Sequence, residues 1–317
     1  MKKWLLGLLI ILIAAGIASY VFIPGIIKFS KIEKVPANSE EAFKHFADAG
    51  LRQKWVSKLS GSANASNNAS GNFFIFSNDS FMVSGAQAPS ANVLIGNGNQ
   101  KLNSQILMVP KGVDSTIILW ESEINAGANP ISRISNYFTA RKIKSHFSKI
   151  LKSYNSYISV TQNVYSFPIE TTRVEDTILI TMRKIFAATP TNEQIYMMVE
   201  KLGGHATSKG AELTNVPMLN ISVLDSNQYQ CTVAIPVSKA VQTEPDMYIS
   251  KMVPGKILVE TVNGGPATIT YAYGRLKDYF RQHKHVSPAL SFESLVTNRM
   301  KETDTTKWVT KIYYPIF

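Results

Sequence analysis

The second half of the chain repeats itself, and an internal repeat constrains a fold more tightly than composition does. From Thr161 onward a strand-like run, DTILITMRKIFA, leads to a helical pattern from Thr191 to Leu202 with Thr189 or Thr191 as its cap. Two further strand-like runs follow, VPMLNISVLD and YQCTVAIPV. The second copy begins with DMYISKMVPGKILVETVNG and continues into a helix from about Ala267 to Gln282. It closes with SPALSFESLV and KWVTKIYYPI. Each copy therefore reads strand, helix, strand, strand. Each also ends on a proline-marked strand, Pro236 in TVAIPV and Pro315 in KIYYPI, where a residue without an N–H belongs at an end or an edge.

The first half has a different order. A short run from Phe29 to Pro36 precedes NSEEAFKHFADAGLRQKWV, where Asn38 or Ser39 caps a helix carrying Ala42, Phe43, Phe46 and Leu51 at helical spacing. SGSANASNNASGN from Ser60 is low in complexity and reads as a flexible connection. The segments NFFIFS, DSFMVSG, ANVLIGNG, NSQILMVP and STIILWESEI then alternate, divided by Gly, Asn, Pro or Asp, as an antiparallel meander does. From Pro130 to Ser159 the period lengthens. Ile143, Phe147, Ile150, Leu151, Tyr154 and Ile158 form one face of a long helix whose other face carries Arg141, Lys142, Lys144, Lys149 and Lys152.

Ahead of both halves, Trp4 to Phe22 contains no charge and would reach about 28 Å as a helix, near the thickness of a bilayer core of about 30 Å. Lys2 and Lys3 precede it, and Pro24 with Gly25 ends it. This pattern predicts a transmembrane helix, an uncleaved anchor in preference to a signal peptide, with the membrane contacted through residues 4–22. The expected placement is single-pass in a bacterial cell membrane with the body extracytoplasmic.

The chain carries 33 Lys+Arg against 22 Asp+Glu, a net charge of +11, spread from Lys28 to Lys311. A dispersed positive charge suits anionic surfaces better than a nucleic-acid groove, so no nucleic-acid partner is expected. The single Cys231 excludes an internal disulfide framework, and its apolar surroundings read as core. No phosphate-binding glycine loop, CxxC pair, HExxH or GxSxG motif is present. His283 and His285 flank Lys284 at a spacing that turns them to different helix faces, and no cofactor or metal is expected.

The opening phrase IEKVPANSEEAFKHFADAGLRQKWV, with the order strand, helix, meander, long helix, resembles the START-like superfamily, also called SRPBCC or polyketide cyclase-like. That resemblance implies a helix-grip fold with an apolar cavity between sheet and helix for a hydrophobic ligand. Residues 165 to 317 resemble the GyrI-like effector-binding domain through the paired Pro-terminated strands, the VPGKILVETVNGG turn into YAYGRLKDYFRQH, and SFESLV before the last strand. The resemblance implies an aromatic cleft with a carboxylate, and Glu293 holds the matching place. Tyr196, Tyr271, Tyr273, Phe292, Trp308 and Tyr313 are its aromatic candidates. Leu295 and Lys311 depart from the family pattern, and a cation at 311 opposes a cationic guest.

The expected fold class is α+β: an N-terminal transmembrane helix (1–27), a helix-grip START-like domain (28–160) and a pseudo-twofold duplicated β-α-β-β GyrI-like domain (161–317). The expected function is a membrane-anchored protein that binds a hydrophobic or cationic small molecule, sequestering or sensing it. A hydrolase of reactive electrophiles using Glu293 as general base is the enzymatic alternative, and a structural envelope protein is the third.

Overall fold

A computed structural model describes residues 2–59, 73–98, 100–175, 177–225, 228–287 and 289–316. The connection expected from Ser60 lies outside them. The chain divides into two units, Met1–Val160 and Thr161–Phe317.

In the first unit, helix α1 (Lys2–Phe22) leads to strand β1 (Ile26–Val35), then helices α2 (Ser39–Ala47) and α3 (Ala49–Val56). The Asn38 side chain accepts from the Glu40 N–H and the Asp48 side chain from the Leu51 N–H, so each short helix starts at an Asx cap. Strands β2 (Phe73–Phe76), β3 (Asp79–Gln87), β4 (Ser90–Asn97), β5 (Gln100–Pro110) and β6 (Thr116–Asn125) form an antiparallel meander, with β1 added beside β6. Helix α4 (Pro130–Ile158) then lies against β1 and β6.

Two expectations are corrected here. No helix among the described residues is long and apolar enough to cross a membrane, which overturns both the transmembrane helix and the single-pass placement. The last turns of α1 are engaged with the body of the unit. Ser19 and Ile23 are buried, the Tyr20 hydroxyl donates to the Ala128 carbonyl, and Arg133 Nη2 donates to the Ile23 carbonyl at 2.6 Å. The apolar stretch ahead of that dock, from Trp4 to Ala18, is about 22 Å of helix, short of a bilayer core of about 30 Å.

The second correction concerns the apolar cavity. The space between sheet and α4 is filled by rings. Trp120 of β6 stacks on Phe147 of α4 with centroids 4.1 Å apart, while Phe46, Trp55, Phe74, Phe81 and Tyr154 pack around them at 5.1–6.2 Å. Edge-to-face and offset contacts of this kind close a core tightly.

The second unit starts with the short helix α5 (Thr161–Tyr165) and contains β7 (Ile169–Arg173), β8 (Ile178–Phe186), α6 (Asn192–Ser208), β9 (Met218–Asp225), β10 (Gln228–Pro236), β11 (Met247–Lys251), β12 (Lys256–Asn263), α7 (Pro266–Gln282), β13 (Phe292–Leu295) and β14 (Val309–Ile316). The strands form one sheet in the order β11-β8-β10-β9-β13-β14-β12-β7. This order is symmetric about the β9–β13 junction. Each copy also carries a leading strand, β7 before β8, which the repeat as read from sequence did not include, and β11 before β12, which it ran together as one strand. The two leading strands are exchanged: β7 pairs with β12 of the second copy, and β11 with β8 of the first.

Thr191 and Gln194 form a reciprocal capping box at α6. The chain enters α7 through Gly264 at φ 141°, where a Cβ would stand 2.7 Å from the Thr268 hydroxyl. Pro236 closes β10, and Pro315 lies beyond the end of β13, where β14 is paired on the β12 side alone.

Candidate functional site

Because side chains alternate across a strand, the register alone assigns each residue of the second unit to a face. One row crosses all eight strands as Met247, Met182, Val233, Leu219, Glu293, Ile312, Glu260 and Ile169. Six of these are apolar, and the two exceptions are both glutamates. This is the helix-covered face: α6 packs on it with Ile195, Met198 and Leu202, and α7 with Ile269, Ala272 and Leu276.

Glu293 lies at the centre of the row, on the second-copy side of the symmetry junction. Its Oε2 accepts from Arg299 Nη2 at 2.7 Å, and the same nitrogen donates to Thr310 Oγ1 at 3.0 Å. The guanidinium stands over the Trp308 ring, 5.1 Å from its centroid. The loop that carries Arg299 is pinned as well. The Arg299 N–H donates to the Tyr196 hydroxyl at 2.9 Å, that hydroxyl donates to the Thr297 carbonyl, and Trp308 Nε1 donates to the Glu302 carbonyl. Burial pushes the Tyr273 phenol well above its ordinary value and the charge of Glu293 adds to the rise, while a hydrogen bond with Ser291 opposes it. Burial also raises Tyr196, against the Arg299 N–H.

Four of the seven expected residues, Glu293, Tyr196, Tyr273 and Trp308, thus meet on one face around Arg299. The other three are elsewhere. Phe292 and Tyr313 stack on each other at 5.0 Å on the opposite, helix-free face. Tyr271 is exposed on α7, its hydroxyl 3.2 Å from that of Ser166. Lys311 is not beside Glu293 either. It alternates to the helix-free face, opposite Ser294 and Thr261.

Sequence reasoning missed Arg299 and Glu260. Nothing in the loop sequence singles out Arg299. Glu260 was open to detection, because in KILVETVN it shares a period of two with Leu258 and Val262, which both face the core. Glu260 is fully buried, and among the described residues neither of its carboxylate oxygens has a hydrogen-bond partner. Burial pushes it up to about 8, with Arg275 of α7 pulling it partly back.

The helix-free face holds open space. A groove of about 520 Å³ runs over Leu179, Thr181, Thr232, Ala234, Tyr248, Ser250 and Phe292. A second cavity of about 270 Å³ adjoins it, sharing Val174, Met218, Met252 and Phe292 as walls, and is lined in addition by Glu170, Arg173, Glu175, Lys311 and Tyr313.

No family model matches this chain, and no curated protein does. Among solved structures it is similar to the EcmrR C-terminal domain at 13% identity, with a TM-score of 0.42, over 48% of this chain and 98% of that one. It is similar to the protein SAV2435 bound to tetraphenylphosphonium at 14% identity, with a TM-score of 0.32, over 47% and 93%. A START superfamily protein from Mycobacterium smegmatis matches at 14% identity, with a TM-score of 0.29, over 41% and 96%.

Proposed function

We propose that this protein binds a small lipophilic molecule in its second unit, to sequester or to sense it. The observation that carries the reading is the groove of about 520 Å³ on the helix-free sheet face, walled by apolar and aromatic side chains. Its size falls within the range of about 300–1,000 Å³ in which proteins hold small molecules. In the first unit the space between sheet and α4 is filled by aromatic rings, and the cavity of about 480 Å³ over β1, β5 and β6 is lined mainly by polar and charged side chains, so neither supports the apolar ligand expected there.

A cationic guest at Glu293 would have to replace Arg299, which already supplies both the charge pair and the contact with an aromatic face. The hydrolytic alternative gains no support from this geometry, because Arg299 pairs with the Glu293 carboxylate through Oε2 and so favours its charged form while making it a weaker base. The structural-envelope alternative fits the filled first unit but leaves the open groove unused.

The test is thermal unfolding of the full chain with a panel of lipids, sterols and lipophilic cations, repeated with Phe292→Ala. A true ligand at 100 times its Kd stabilises by about 2.7 kcal/mol. Stabilisation by a member of the panel that Phe292→Ala weakens supports the groove. A panel that leaves the melting temperature unmoved sinks the proposal.

A further inference from the structure

Lys311 is a half-buried cation in the middle of a strand, on the face that carries the groove. Its neighbours across the sheet, Ser294 and Thr261, are neutral. Among the described residues no ion pair or hydrogen bond of its ammonium is found, whereas Lys201, Lys142 and Arg299 each hold an acid at 3.0 Å or less. The Phe292–Tyr313 stack beside it offers no counter-charge, and the acids that line the same cavity are Glu170 and Glu175. An ammonium drawn partly out of water without an anion is held at a cost that an incoming anion would relieve.

The other charges along the groove and the adjoining cavity are at the rim. Lys251, Lys256 and Arg173 are exposed cations, and Glu170 and Glu175 exposed anions. With Lys311 that makes four cations against two anions. The acid placed by register is Glu170, two strands from Lys311 and two residues along, roughly 12 Å away by strand spacing and rise. At that separation an exposed carboxylate is screened by physiological salt. The apolar end of the groove begins at β8, four strand spacings from β14, or about 19 Å.

From this placement we infer that the groove and the cavity adjoining it together take an amphiphile with an apolar chain and an anionic head, a long-chain carboxylate, with the head at Lys311 in the cavity and the chain passing Met218 and Phe292 into the groove across β13, β9 and β10 toward β8. This rests on the reading of the groove as a ligand site and adds the charge and orientation of the guest. It assigns Lys311, first read as a residue opposing a guest in the Glu293 cleft, a role on the other face of the sheet.

The experiment measures binding of dodecanoate, dodecanol and dodecyltrimethylammonium to the full chain by calorimetry, each below its micellar concentration, for wild type, Lys311→Gln and Lys311→Arg. Dodecanoate is expected to bind at least tenfold more tightly than the other two. Lys311→Gln should abolish that preference while leaving dodecanol unchanged, and Lys311→Arg should retain it. Unfolding curves for the variants establish that each is folded, and Lys311→Arg carries the test if Lys311→Gln is not. Equal affinity for dodecanoate and dodecanol, or a preference that survives in Lys311→Gln, overturns the headgroup assignment and leaves the groove reading standing. Tighter binding of the cationic probe overturns the charge assignment. Failure of all three probes to bind overturns this inference and counts against the groove itself.

Discussion

The carboxylate of Glu293 and the guanidinium of Arg299 meet at 2.7 Å on the helix-covered face of the second unit, six residues apart in the chain and joined across a loop. The pair is mostly shielded, with side-chain exposures of 17% and 9%. Removing one partner leaves the other charge under-solvated, which costs more than the intact pair contributes. Arg299→Ala is expected to destabilise by about 2 kcal/mol, less than a fully buried pair would lose. Glu293→Gln combined with Arg299→Ala should recover part of that loss, as read by urea denaturation. Additive effects in that cycle would show that the two residues are not coupled. Arg299→Ala should also strengthen binding of a lipophilic cation relative to wild type, because the internal cation is gone.

Glu260 predicts an inverted pH dependence. Its carboxyl is at about 8 in the fold against an ordinary value of 4.5. Between those values the folded state holds a proton that the unfolded state has released, so stability falls as pH rises. The contribution is fully present below about 4.5, declines from there to about 8, and is flat above. Glu260→Gln should remove the decline and stabilise the protein most at the alkaline end. Parallel stability-against-pH curves for wild type and variant over that window would refute the assignment.

Trp120 and Phe147 are both fully buried and stacked at 4.1 Å. Truncating either to Ala removes a ring from a packed core and should cost about 3–5 kcal/mol. Chemical denaturation followed by Trp fluorescence measures it. A loss under 1 kcal/mol would mean that the space between sheet and helix is looser than the packing shows.

Cys231 is buried under α6, and desolvation pushes its thiol up to about 11. At neutral pH roughly one molecule in ten thousand carries the thiolate, so the native protein should resist a disulfide reagent that labels it fully in denaturant. Rapid labelling of native protein would place the thiol at the surface.

Local chemistry made the elements readable. The cap pairs Asn38 or Ser39 and Thr189 or Thr191 located two helix starts, which the structure assigns to Asn38 and Thr191, and the run Ile143, Phe147, Ile150, Leu151, Tyr154 marked a helix face, because caps and periodicity act within a few residues. The membrane-crossing expectation rested on the uncharged run and its flanks, Lys2 and Lys3 before it and Pro24 with Gly25 after it. It did not reckon with Ser19, Tyr20 and Ile23 docking on the segment around Ala128 and Arg133.

The grouping of Phe292 with Glu293 in one cleft was refutable from the sequence, since adjacent strand residues face opposite ways. The register separates them: Glu293 goes to Arg299 under the helices, and Phe292 to Tyr313 over the groove.

The sequence by itself determined the α+β character, the repeat in the second half, the helix caps and the solitary buried cysteine, all of which follow from spacing and residue type over short range. Only the tertiary structure decided which strands exchange between the two copies, that Arg299 occupies the charge of Glu293, and that Lys311 lines the cavity beside the groove instead of facing that carboxylate. Those outcomes depend on strand register and loop path, which bring together residues that no local pattern connects.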